Sequence, residues 1–442
     1  MDLFNAIHRI SIFVFALVFK FILQKRKTRR NLPPSPPALP IIGHLHLLKQ
    51  PVHRTLHQLS QKYGPVLLLD FGNRKVLIVS SASAAEECFT KNDIIFANRP
   101  RLLAGKHIGY NYNTIGFAPY GDYWRNLRRL TTMEFFSTSR LAMSASIRQE
   151  EVQLLLKELF LASAKKSATV ELTSKLIEVV FNMILRMIAG KRYYGKDAVD
   201  TEAEEFRDIM REVAEMSGST VLNDFLPVLQ WVDFQGLERK MKKIFKKVDK
   251  FLQSLVEEHR MMRKDSTDQC LGSSDASSTG TKTTLIDVML SLQQTDPEIY
   301  TDETIKGVIL VMLIAGTETS STTIEWAMSL LLNHSEVMSK AWSEIADEPH
   351  FSYHMNRQKT ASFVVITCHV EQCYWRACPG AVLGRKVVGL VLGSLIQSFE
   401  WNRVAEGEID MREGPGLTMP KAEPLVAVCS PRSGMLNLLN AI

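Results

Sequence analysis

Residues 304–333 carry the longest helical signal in the chain, and the first half of that run, residues 307–315, is apolar on every side. A helix that is apolar all round is either a core element or a membrane span. A span needs roughly 20 uninterrupted apolar residues, and Gly316-Thr317-Glu318-Thr319-Ser320-Ser321 breaks this run too early. The chain is therefore predicted to fold around a buried helix with polar groups at its middle. Such groups are costly in a core unless they are hydrogen-bonded or used.

The rest of the chain can supply that core. It has 442 residues, 45% hydrophobic and 23% charged, which excludes a disordered or fibrous class. The net charge of +6 is too modest to argue for nucleic acid. The six cysteines, Cys88, Cys270, Cys368, Cys373, Cys378 and Cys429, show neither zinc-site nor disulfide-framework spacing. That implies a reducing compartment and mostly free thiols, and it leaves Cys378 to be explained singly.

Residues 10–23 form an apolar run broken only by Lys20 and followed by Lys25, Arg26, Lys27, Arg29 and Arg30. That charge lies on the wrong side for a cleaved signal peptide, so residues 1–24 are predicted to be an uncleaved anchor with everything after them cytosolic. Residues 25–43 are basic and then proline-rich, through Pro33, Pro34, Pro36, Pro37 and Pro40. They read as a stiff hinge, with a proline-rich ligand for a partner as the alternative. Residues 44–442 form the body.

Within the body, 66–71 and 75–80 are β-prone runs split by Gly72-Asn73-Arg74, a hairpin signal. Beyond residue 82 the period is helical apart from the loop 101–120, with clear apolar spacing over 149–160 and 175–189. In 240–260, Met241, Ile244, Phe245, Val248, Leu252 and Leu255 make one face and lysines fill the other. A solvated surface helix explains that pattern; a basic face for a membrane or an acidic redox partner is the alternative. Residues 264–284 are a Ser- and Thr-rich surface connection. The fold class is mainly α with small β-sheets.

Three stretches carry chemistry. Arg376-Ala377-Cys378-Pro379-Gly380-Ala381 places a thiol just ahead of an apolar helical run over 382–399. A thiolate is favoured there by unpaired N–H groups and the helix dipole, and it is a place to hold a metal. An ordinary buried cysteine at a helix start is the bland alternative. Ala315-Gly316-Thr317-Glu318-Thr319 puts a glycine, an acid and hydroxyls at the middle of the buried helix. Trp124-x-x-x-Arg128 sets both side chains on one helical face.

Together these stretches resemble the cytochromes P450, and the resemblance covers roughly residues 1–340 and 375–435. It implies the P450 fold and haem b held by Cys378 as axial thiolate. Arg376, Trp124 and Arg128 would serve the propionates, and Gly380 matches the glycine after the ligand. Ala315 and Gly316 would let the distal helix approach the cofactor, while Glu318 and Thr319 would feed protons to the oxygen chemistry. Residues 118–125 and 417–424 are most like plant microsomal isoflavone hydroxylases. The resemblance therefore implies a monooxygenase in the endoplasmic reticulum membrane that takes electrons from NADPH through cytochrome P450 reductase and hydroxylates a small lipophilic molecule. Substrate-facing residues are expected in 101–116, in 223–229 and around Ala315 and Thr319.

The same comparison shows departures. The family's aromatic and bulge glycine fall on Glu371 and Tyr374. The interval from Asn333 to Trp375 is too short for the usual Glu-x-x-Arg helix and the arginine that braces it, so the P450 fold is expected to be incomplete between distal helix and ligand loop, with 347–375 atypical. Glu204-x-x-Arg207 and Glu257-x-x-Arg260 fit the bare pattern but precede the distal helix. Three readings stand: an anchored monooxygenase, a P450-like remnant that holds haem poorly, and a membrane-tethered binder of small apolar ligands.

Overall fold

The computed structural model describes residues 12, 32–163, 169–195, 201–217, 222–226, 229, 233, 236–270, 283–346 and 378–441. Almost all of the expected anchor, the basic part of the hinge, Arg376 and the atypical segment 347–375 lie outside the described residues. The chain divides into two compact units, Met1–Phe96 with Thr220–Leu237, and Ala97–Ser219 with Glu238–Ile442.

The first unit is built on a hairpin. Strand β1 (Val66–Phe71) pairs antiparallel with β2 (Arg74–Val79), and Phe71 faces Arg74. The turn is thus the two residues Gly72-Asn73, and Arg74 belongs to the second strand rather than to the connection. Gly72 is required: its φ is +58°, and a Cβ there would sit 2.1 Å from the Phe225 carbonyl oxygen. Helices α1 (Val52–Tyr63) and α2 (Ala82–Phe89) flank the hairpin in sequence. His44, fully buried, accepts from the Asp70 N–H through Nδ1 at 2.7 Å, so its Nε2 carries the hydrogen that meets the Pro36 carbonyl at 2.9 Å. One imidazole therefore fastens the proline segment to the edge of the hairpin.

The second unit is helical, and its elements run in order along the chain. They are α3 (Leu103–His107), α4 (Asp122–Glu134), α5 (Thr138–Met143), α6 (Ala145–Ser163), β3 (Thr169–Glu171), α7 (Leu172–Ala189), α8 (Thr201–Ser217), α9 (Leu237–Cys270), α10 (Leu285–Thr295), α11 (Asp302–Asn333), α12 (Ser335–Ala346), α13 (Ala381–Ser398), β4 (Phe399–Arg403), β5 (Val426–Pro431) and α14 (Leu436–Ala441). Helix α11 is the hub. It packs along α7 and α13, and both of those also pack on α6. The three strands form an antiparallel sheet in the order β3-β5-β4.

Helix α11 is buried, as its all-round apolar first half requires; Ile305, Val308, Ile309, Leu310 and Leu313 are nearly inaccessible. Both α11 and α13 are long and apolar enough to cross a membrane, yet most of each is covered by protein. Its start is fixed by Thr301, whose hydroxyl accepts from the Thr304 N–H, and by Asp302 and Glu303 in the first turn. Helix α9 has the two faces expected of it. Met241, Ile244, Val248, Leu252 and Leu255 are buried, whereas Lys242, Lys243, Lys246 and Lys250 are exposed.

The two early Glu-x-x-Arg matches make no brace. Arg260 is spent on Asp302 at 2.9 Å and on Gln293 at 2.7 Å. Arg207 donates to the Tyr193 carbonyl and lies 5.6 Å from the centre of the Tyr194 ring.

Candidate active site

Helix α4 brings the first group. Trp124 is 6% exposed, and its indole N–H donates to the Ile115 carbonyl at 3.0 Å. An indole has one donor, and here it closes the 101–120 loop onto α4. Arg128, one turn on, keeps the expected face: its guanidinium lies 5.9 Å from the Trp124 ring centre. Burial pulls the Arg128 pKa down, the nearby Cys378 sulfur opposes that, and Arg99 lowers it again. A cation on α4 and the thiol ahead of α13 therefore share one electrostatic neighbourhood.

Helix α11 brings the second group. It stays α-helical from end to end, and its hydroxyls fold back on the preceding turn. Thr319 Oγ1 donates to the Ala315 carbonyl at 2.7 Å, Ser321 to Thr317 at 2.9 Å and Thr323 to Thr319 at 2.8 Å. Such bonds explain the hydroxyls as helix-internal groups but leave the acid unexplained. Glu318 instead accepts from Thr418 Oγ1 at 2.6 Å, across 100 residues of sequence. Thr317 Oγ1 is buried with no hydrogen-bond partner among the described residues. Ala315 and Thr319, one turn apart, are exposed in the middle of a helix that is otherwise mostly covered. Among the described residues they mark the side of α11 left open at this level.

Gly316 does not share that open side. A Cβ on it would lie 3.2 Å from Ile184 Cδ1 of α7. Its smallness lets α11 and α7 approach.

The third group precedes α13. Cys378 is exposed and unpaired as a thiol, and the Ala381 N–H closes a turn on its carbonyl at 3.2 Å. Gly380 caps the helix, and a Cβ there would meet the Phe136 ring at 3.5 Å and Cys378 Sγ at 3.8 Å. Phe136 thus backs the thiol turn. The sequence offered no motif for it, only its place shortly after the Trp-x-x-x-Arg helix. Since α13 packs on α11, the thiol turn and the Ala315/Thr319 face belong to two helices in direct contact. Arg376 lies outside the described residues.

A separate cleft of about 240 Å³ is lined by Glu134, Arg140, Ser144, Arg186 and Thr284 among others, and includes none of these groups. Its charges are already paired, Arg140 with Glu134 and Arg186 with Glu151, each at 2.7 Å.

The model of the cytochrome P450 family matches residues 33–350, most of the chain. The chain belongs to the cytochrome P450 family. Among its relatives are cytochrome P450 81Q32 of Catharanthus roseus, 44% identical over 92% of this chain and 93% of that protein, and the isoflavone 2'-hydroxylase of Glycyrrhiza echinata, 38% identical over 96% of each. The isoflavone 3'-hydroxylase of Medicago truncatula is 40% identical over 94% of this chain and 96% of its own. As a P450 this protein is a monooxygenase of the oxidoreductase class, and the family's cofactor is a haem whose iron takes a cysteine thiolate and receives electrons from a reductase. The described residues fit that group. They offer one accessible thiol at a helix start, a cation in the same neighbourhood and an open small-residue face on the central helix.

The relatives also carry something this P450 does not. The alignment to the Catharanthus protein runs over 480 positions and that to the Glycyrrhiza hydroxylase over 499, both longer than the 442 residues of this chain. Gaps must therefore open where the relatives have extra residues. The family match stops at residue 350, ahead of the thiol turn.

Proposed function

We propose that this P450 hydroxylates a small lipophilic molecule of the isoflavonoid or flavonoid type, with Cys378 as the iron ligand. The observation that carries the reading is the accessible Cys378 thiol at the head of a helix packed on α11, in the electrostatic reach of Arg128. The substrate class follows from relatives named as isoflavone hydroxylases. Haem would supply the activation of dioxygen. Arg128 and Arg376 would neutralise its propionates, and Gly380 would keep the turn close to the ring edge, as a side chain there would press on Phe136 and Sγ. Ala315 would present a small surface to the ring. Glu318 and Thr319 would hold and pass protons at the carboxylate and at Oγ1. Residues 1–24 would anchor the protein in the endoplasmic reticulum membrane, residues 25–43 would act as hinge, and residues 44–442 would face the cytosol and receive electrons from NADPH through cytochrome P450 reductase.

The longer relatives support a second reading, in which the chain is a P450 by descent that retains haem poorly because the segment bracing the ligand loop is reduced. One measurement separates the two: the carbon-monoxide difference spectrum of the reduced full chain expressed with excess haem. A red-shifted, thiolate-type Soret band that disappears in Cys378→Ala supports the monooxygenase. A histidine-type band, or none, supports the remnant.

A further inference from the structure

The segment from Glu413 to Lys421 is a tight hairpin clamped along α11. Glu413 and Lys421 form an isolated antiparallel bridge, and the Gly414 N–H meets the Pro420 carbonyl at 2.7 Å. Gly414 has no room for a side chain, since a Cβ would lie 2.8 Å from the Lys421 carbonyl oxygen. Met419, next to the closing Pro420, sits at φ +51°, in the left-handed region that a non-glycine residue rarely takes. That backbone is held from outside. The Trp326 indole N–H donates to the Met419 carbonyl at 3.0 Å. Lys421, 8% exposed, lies 5.0 Å from the centre of the Trp326 ring and donates to the Asp410 carbonyl. Trp326 stands two turns beyond Glu318 on the same helix, so the returning arm of the hairpin is fastened to α11 at Met419 and Lys421, directly beside the residue that meets the acid.

We propose that Thr418 is a positioning residue for proton delivery: its hydroxyl holds Oε1 of Glu318 and the clamped hairpin sets where Oε2 points. Among the described residues no other side chain is bonded to that carboxylate. A glutamate has three rotatable side-chain bonds, and an unheld one spends most of its time away from any single geometry. One charge-assisted bond of 2.6 Å from a rigid hairpin removes that freedom. Oε2 is left to take a proton from solvent and pass it to the open face around Thr319, with no net change at Glu318. The inference rests on the reading of Glu318 as the proton-delivering acid.

The test uses the full chain with Thr418→Val, Thr418→Ser, Glu318→Ala and the Val/Ala double variant. In thermal unfolding without added substrate, the shifts of Thr418→Val and Glu318→Ala should be clearly non-additive, because either change alone removes the same bond. Additive shifts overturn the contact. With reductase, NADPH and whichever member of an isoflavone panel gives a substrate-type spectral shift, Thr418→Val should raise several-fold the peroxide released per NADPH oxidised. The thiolate-type carbon-monoxide band should be unchanged, and Thr418→Ser should return the peroxide share to near the wild-type value. An unchanged share in Thr418→Val, or a serine variant that behaves like valine, overturns positioning. Should the wild-type chain show no thiolate band, it is the proposed function that fails and proton delivery with it, while the unfolding cycle still decides whether Thr418 holds Glu318.

Discussion

Tyr110 donates its phenolic hydrogen to Asp249 at 2.8 Å, and that same carboxylate oxygen lies 2.5 Å from the ammonium of Lys306. Three elements meet at this point: the loop after α3, the middle of α9 and the first turns of α11. Lys306 and Tyr110 are both about 6% exposed, and burial, with the bond and charge of Asp249 added, drives the Tyr110 hydroxyl far above the ordinary tyrosine range. The anchor matters because Tyr110, Asn111 and Tyr112 all have positive φ, at 47°, 52° and 66°. Three such residues store on the order of 1 kcal/mol or more each.

Cutting that anchor should release the loop. Asp249→Asn leaves a buried ammonium without its counter-charge and is expected to cost about 1–3 kcal/mol, discounted because Asp249 is about one-third exposed. Tyr110→Phe should cost about 1 kcal/mol. Both should accelerate proteolysis within 108–116 far more than elsewhere. Unchanged unfolding and cleavage in Asp249→Asn would show that the loop is held by its packing instead.

Trp124 and Arg128 share a face but should separate in experiment. Trp124→Phe removes the donor to Ile115 and is expected to destabilise the fold by about 1–3 kcal/mol, with haem content per folded chain preserved. Arg128→Leu should lower haem retention several-fold while shifting unfolding by less than about 1 kcal/mol, and Arg128→Lys should recover part of it. Haem titration and denaturant unfolding of the same preparations would decide. Loss of haem in Trp124→Phe at unchanged stability would assign the indole to the cofactor.

Gly316 faces Ile184, and the size of the replacement should set the outcome. Gly316→Ala brings a methyl group to 3.2 Å of a flexible Cδ1, a squeeze offset by the roughly 1 kcal/mol gain of alanine over glycine in a helix. The net change should stay within about 1 kcal/mol. Gly316→Val should cost about 1–3 kcal/mol, and Ile184→Val should return part of that in the double variant. Additive costs would mean that the glycine faces something else.

Asp287 should produce an acid-sensitive step. Burial alone would raise its carboxyl, but hydrogen bonds from His259 and from the Thr284 hydroxyl and N–H outweigh it and hold the group down at about 2. A carboxylate whose pKa is depressed by folding contributes its stability above its unfolded value, near 4, and loses it as pH falls toward the folded value. The stability difference between wild type and Asp287→Asn should be about 2 kcal/mol at neutral pH and should vanish between about pH 4 and pH 2. A difference that stays constant over that window would show that the carboxylate is not held by its charge.

What could be read locally was set by local physics. The buried character of α11 follows from apolar residues on all sides of one helix. The hairpin follows from a Gly-Asn pair between β-prone runs, and the two faces of α9 follow from a 3.6-residue period. Cys378 was legible because a thiol ahead of a helical run has a meaning of its own. The partners of the site residues were not legible, because each is a long-range choice. Nothing near Trp124 says that its single N–H will close on Ile115, nor does Gly316 announce Ile184 on another helix. Thr418 sat in a recognisable run, Gly416 to Ala422, yet its role depends on a hairpin folding back across 100 residues onto Glu318. Periodicity and propensity act over a few residues, whereas the assignment of one donor to one acceptor waits on how whole elements pack. The sequence by itself determined which helix is central and which side chains are candidates for the chemistry. Tertiary structure decided which of those groups remain open to a cofactor and which are already bonded within the protein.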